Sequence, residues 1–98
     1  MRKLLIHTVA AALALVLAGP AAAACYADYK AKRDNPLRLH YGVMELPDEA
    51  CADPDLAATE IARRIAVENW QLLNILSFFD EKGLEKRRES AGKFFLRY

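Results

Sequence analysis

The residues able to do chemistry in this 98-residue chain are few and scattered. Beyond residue 24 there is one histidine, His40, and no second ligand stands at a useful spacing from it. A lone imidazole makes a poor metal site. On its own it is at most a pH-sensitive group completed from elsewhere in the fold. Ser77 lies in an apolar run and Ser90 in a charged one; neither stands in the Gly-x-Ser-x-Gly elbow that exposes a nucleophilic serine. The acids Asp48-Glu49 and Asp53/Asp55 have loop and helix-cap duties to perform, and calcium would need a longer alternation of oxygen ligands. The expectation is therefore a non-enzyme, with no catalytic, cofactor-binding or metal-ligating residue and no cofactor.

Cys25 and Cys51 are the two cysteines. Redox catalysis wants Cys-x-x-Cys at a helix start, and this pair lacks that spacing. An even count in an exported chain predicts a disulfide instead. The bridge would close a loop of 27 residues, which the chain-entropy relation values at about 3.5 kcal/mol.

Export is read from the first 24 residues. Met1-Arg2-Lys3 is a positive start, Leu4–Ala18 an apolar run, and Gly19-Pro20 a break before Ala22-Ala23-Ala24. Small residues three and one before the cut suit signal peptidase, with cleavage ahead of Cys25. The run of about 15 residues is short of the roughly 20 that span a bilayer. The short apolar region and Ala-rich end look bacterial, so the expected location is the periplasm. A first mature Cys is also the lipoprotein arrangement. Ala22 in place of Leu, and an apolar run that stops at Gly19-Pro20, favour ordinary cleavage. Membrane contact is expected only if Cys25 is lipidated.

The formal charge of +1 excludes a dedicated nucleic-acid binder. From residue 25 onward there are 12 basic and 13 acidic residues, so the exported part is close to neutral. Its apolar content, 54% for the whole chain, excludes a disordered one. Lys86-Arg87-Arg88 is the one basic run, and Glu81, Glu85 and Glu89 interleave with it. That pattern reads as a solvated face, or as a weak contact to anionic lipid or an acidic partner.

The elements that must position these residues follow from periodicity. Residues 26–35 are mixed and polar and read as a tethered N-terminal segment, closed by Asn35-Pro36. From Leu37, apolar Leu37, Leu39, Tyr41 and Val43 alternate with Arg38, His40, Gly42 and Met44, a half-buried strand ending near Leu46-Pro47. His40 is expected on its exposed face. Asp53 and Pro54 open a helix running to about Asn69, with Ala58, Ile61, Ala62 and Ile65 as its stripe. Trp70–Phe79 is apolar on both parities and reads as a strand covered on both faces, with Trp70 as a core anchor at the helix-to-strand joint. Asp80–Gly83 is a turn. Leu84–Ser90 is open between helical turn, edge and loop. Lys93–Tyr98 reads as a last strand. The expected fold is α+β, a small three-stranded sheet with one packed helix in the order β-α-β-β over 37–98, plus one disulfide.

Asn69-Trp70-Gln71-Leu72-Leu73 and Phe94-Phe95-Leu96-Arg97-Tyr98 resemble a group of small bacterial proteins of unknown function. In that group a Gly-Trp-Glu-Leu-like segment opens the second strand and the last strand ends in aromatics. Asn69 stands where the group has Gly, and Asn tolerates the left-handed conformation a helix end needs. The resemblance supports the β-α-β-β order and implies no activity and no site residues.

Two function classes follow. The favoured one is a non-enzymatic periplasmic binding or assembly module working through a sheet face or edge. The other is a small enzyme or accessory with a site across a dimer interface. One helix covers only one sheet face, so a homodimer or an unidentified periplasmic protein is the expected partner.

Overall fold

The computed structural model describes residues 24–98. The expected export signal lies outside the described residues apart from Ala24.

Three antiparallel strands, β1 (Cys25–Arg33), β2 (Arg38–Leu46) and β3 (Gln71–Phe79), form one sheet in the order β2-β1-β3. The N-terminal segment expected to be a tether is thus the central strand. Cys25, Ala27, Tyr29 and Ala31 of β1 face the main core, while Asp28, Lys30 and Lys32 fall on the opposite parity. Those polar residues hid the alternation in the sequence. Ala27 and Ala31 have no exposed surface, and their small size lets a helix lie close to the sheet.

β1 turns into β2 through residues 34–37, where Asn35 takes a positive φ of 63° and the Asn35–Pro36 bond is cis. After β2 come a short helix, α1 (Asp48–Cys51), and the main helix, α2 (Pro54–Ile65). Asp53 caps α2 as expected, accepting from the Asp55 and Leu56 amides, with Pro54 in its first turn. Such a cap contributes about 1 kcal/mol. α2 buries Ala57, Ile61 and Ile65 against the sheet, so Ala57 takes the deep seat and Ala58 is half-buried. The helix relaxes into a 3-10 turn at Ala66–Glu68 and ends at Asn69, which adopts the left-handed conformation at φ 66°.

β3 is apolar on both parities for a reason the alternation rule misses. Its pairing with β1 carries two register shifts: Ala27, Tyr29 and Ala31 stand opposite Phe78, Ile75 and Leu72. The core-facing residues of β3 therefore recur every third position. Leu73 and Leu76 are the extra residues of two bulges and are left exposed.

A third helix, α3 (Glu85–Ala91), corrects the expectation of a single packed helix and an uncovered second face. Val43 and Ala91 are both buried at this second layer. The expected C-terminal strand is also corrected. Gly92–Phe94 is a 3-10 turn, and Phe95 makes one parallel bridge to Val43, where the Leu96 amide donates to the Val43 carbonyl at 2.9 Å. Positive φ values at Gly92 and Leu96 break the extended run. The order is β-β-α-α-β-α, and the molecule is an α+β fold with a three-stranded antiparallel sheet. A disulfide joins Cys25 at the head of β1 to Cys51 at the end of α1, Cα to Cα 6.3 Å.

Candidate functional site

His40 sits on the core face of β2 and is buried, not exposed as its strand pattern suggested. The apolar alternation misleads here because Leu37 and Leu39, at the hairpin end of β2, are both largely exposed. The imidazole stacks on Phe94 at 3.7 Å between centroids and meets Trp70 edge-on at 4.3 Å. Nε2 shares a hydrogen bond of 3.1 Å with the Tyr29 hydroxyl. Burial, with Arg33 and Lys93 nearby, pushes the His40 pKa down to about 4, so the ring is neutral at physiological pH. Burial also raises the Tyr29 pKa, so its hydroxyl keeps its proton. His40 is thus a packing residue within an aromatic cluster. Its Nδ1 and the Tyr98 hydroxyl are buried without a hydrogen-bond partner.

The expected anchor, Trp70, lies in the main core with 7% of its surface exposed. It lies on the αL turn at Asn69, and its amide donates to the Ile65 carbonyl at 3.2 Å. Its outer side is covered by Arg33, whose guanidinium carbon lies 4.1 Å from the ring centroid.

That cationic lid opens onto a cleft of about 440 Å³ at the hairpin end of the sheet. Arg33 and Arg38 come from β1 and β2, Lys93 and Arg97 from the C-terminal segment, and Glu68 is the sole acid in the lining. Leu39, Trp70, Phe94 and Tyr98 supply its apolar walls. Two of the cations are spoken for. Arg33 donates Nε and Nη2 to the Glu68 carbonyl. Arg97 grips the Glu68 carboxylate at 3.1 and 3.3 Å, which holds that carboxyl below its usual pKa. Arg38 and Lys93 have no acidic partner among the described residues. A cleft of this size, part apolar and part charged, has the dimensions of a small-ligand site, and Arg38 and Lys93 give it a positive lining.

A second polar cluster lies under α3. Asp28 accepts from Ser77 Oγ at 2.6 Å, the Tyr41 hydroxyl at 2.7 Å and Arg87 Nε at 2.9 Å. Burial alone would raise the Asp28 pKa, but the hydrogen bonds from Ser77, Tyr41 and Arg87 bring it below the usual value. The Tyr41 pKa is correspondingly raised to about 12, first by burial and then by Asp28. Arg87 also donates to the Gly83 carbonyl at 2.7 Å and lies over the Phe79 ring. Ser77 and Tyr41 join their strands to Asp28 of β1, and Arg87 ties α3 to the same carboxylate. Arg87, expected on a solvated face, is an internal tie, and Ser77 is held as a donor rather than poised as a nucleophile.

Sequence reasoning did not single out Arg33, Arg38, Glu68, Lys93 or Arg97. The fold brings them together from a hairpin end, a helix end and a C-terminal turn. The only local signal was Leu37-Arg38-Leu39, a cation between two leucines at a strand start. No family model, no curated protein and no solved structure matches the chain.

Proposed function

We propose that this protein is an exported, non-enzymatic binding module of the periplasm that holds an anionic ligand between Arg33, Arg38, Lys93 and Arg97. One observation carries the reading. A chain with 13 acids and 12 bases beyond residue 24 gathers four cations and one already paired acid around a single cleft. Three of those cations, Arg33, Arg38 and Lys93, make no ion pair with an acid among the described residues, and of these only Arg33 is tied to a carbonyl. Export is supported by the pattern of residues 1–24, and the Cys25–Cys51 bridge suits an oxidising compartment. A thioether lipid on Cys25 would use the sulfur that makes this bridge, so the lipoprotein reading is the weaker one. The sheet edge is also the weaker binding surface. The outer side of β3 is unpaired among the described residues, but its two bulges interrupt the ladder that strand addition needs.

Trp70 is the only tryptophan and lies in the cleft wall, so its emission reports occupancy. Titration of the exported protein with glycerol 3-phosphate and with citrate should change that emission in a saturable, salt-sensitive manner. Arg38→Gln with Lys93→Gln should weaken the response at least about tenfold, the scale expected for losing two charge-assisted hydrogen bonds. Equal binding by the double variant would overturn the proposal. Intact mass should correspond to a chain that begins at Cys25 and is two hydrogens lighter than its reduced form.

A further inference from the structure

We infer that the cleft and the β1–β2 hairpin tip together dock on an anionic phospholipid surface, the cations taking lipid phosphates and the flanking aliphatic side chains entering the interface. The inference rests on the anion-binding reading of the cleft and names where the anion sits. Seven large apolar residues are exposed among the described ones, and the three most exposed are Val67, Leu39 and Leu37 at 77%, 67% and 65%. Leu39 is in the cleft lining, and Leu37 and Val67 are the chain neighbours of two other lining residues, Arg38 and Glu68. Leu96, also exposed, is next to Arg97.

Single exposed leucines carry no meaning, but an apolar group rimmed by charge marks an interaction surface. A small soluble anion would need the cations and leave the leucines unused. A lipid surface uses both: apolar side chains enter the acyl boundary while Arg and Lys reach phosphates with their long stems. Nearby acids do not oppose this, because Glu68 is held by Arg97 and Asp34 lies 3.4 Å from Lys32. Among the described residues no helix is long and apolar enough to cross a membrane, so the contact is peripheral and reversible. Each cation near an anionic leaflet adds about fivefold to binding.

The test is co-sedimentation of the exported, disulfide-bonded protein with phosphatidylglycerol-containing vesicles and with pure phosphatidylcholine vesicles, beside the Trp70 titration with glycerol 3-phosphate. We expect binding to the anionic vesicles only, reversed by high salt. Leu37→Ser with Val67→Ser, both outside the cleft lining, should weaken vesicle binding at least about tenfold while leaving the glycerol 3-phosphate titration unchanged. Leu37 and Val67 are exposed, so this variant should keep the wild-type circular dichroism spectrum. Arg38→Gln with Lys93→Gln should lose both responses. Glycerol 3-phosphate binding without vesicle binding, or vesicle binding indifferent to Leu37 and Val67, would overturn the inference and leave the cleft reading standing. Equal binding to polyglutamate, again indifferent to Leu37 and Val67, would overturn it in favour of an acidic protein surface. Failure of glycerol 3-phosphate and vesicles alike would overturn both readings.

Discussion

The ring of Tyr29 fills the space a side chain would occupy at Gly42, its partner in the antiparallel register. A Cβ built on Gly42 would fall 2.5 Å from the Cζ and Oη atoms of Tyr29. The absent side chain lets the ring cross β2, and the same hydroxyl then reaches His40 Nε2. Gly42→Ala should therefore destabilise the protein by about 1–3 kcal/mol through overpacking. Urea denaturation checks this, and an unchanged midpoint would mean that Tyr29 has another place to go.

Trp70 joins α2 to β3 and touches His40, Phe94 and Arg33. Its removal leaves a cavity between the main core and the cleft, and Trp70→Ala should cost about 3–5 kcal/mol. For a domain of this size that is most of the available stability. Thermal unfolding followed by circular dichroism should show a largely unfolded variant at 37 °C.

The Cys25–Cys51 bridge ties the first residue of the central strand to α1, and Cys25 is buried in the main core. Replacing both by Ser should cost about 3.5 kcal/mol from loop entropy alone. The double variant is the proper comparison, because a single variant leaves a reactive thiol. A midpoint in urea that does not move on reduction would show that the contacts around β1 hold the loop closed by themselves.

What the sequence made legible follows its local signals. Asp53-Pro54 fixes the start of α2, and Asn69 takes the left-handed turn its type suits. Cys25 and Cys51 pair because no other cysteine competes. The misses share one cause: the decisive partner was distant. β1 reads as polar because Asp28, Lys30 and Lys32 lie on one face, and Asp28 is satisfied only by Tyr41, Ser77 and Arg87 from three other segments. β3 hides a period of three behind its two bulges. Phe94 and Phe95 look like a strand, yet Phe94 stacks on His40 while Phe95 lies beneath Arg88. The cleft was the least legible, since its cations are ordinary surface residues until the hairpin end and C-terminal turn meet.

Arg87 is the one cation that meets Asp28, and its side chain is mostly buried. Arg87→Met should leave a buried carboxylate with only Ser77 and Tyr41 as donors, costing about 2–4 kcal/mol at neutral pH. The pH dependence has a definite sign. The folded-state pKa of Asp28 is depressed, so its contribution is present above the unfolded value of about 3.9 and is lost as pH falls through the folded one. The stability gap between wild type and variant should close over that acidic window. A gap that stays constant down to pH 2 would show that Arg87 acts through its stacking on Phe79 and its bond to the Gly83 carbonyl.

His40 supplies pH sensitivity of the same sign at a milder pH. In the unfolded chain it takes a proton near pH 6.5, but in the fold burial, with Arg33 and Lys93 close by, holds its pKa down to about 4. Between those values the unfolded state binds a proton that the folded state refuses, so stability falls as pH falls. The slope should approach about 1.4 kcal/mol per pH unit. No aromatic neighbour offers compensation: Phe94, Trp70 and Tyr29 surround the ring, and Nδ1 has no acceptor to receive a new proton. His40→Phe keeps the stacking on Phe94 and removes the titration, at the expense of the Tyr29 hydrogen bond. Urea unfolding of both proteins from pH 7 to 5 should show wild type losing stability relative to the variant across this range, while carboxylates are still ionised in both. Parallel curves would mean that the imidazole gains a proton without leaving the aromatic cluster, and that the ring is open to water at its Nδ1 edge.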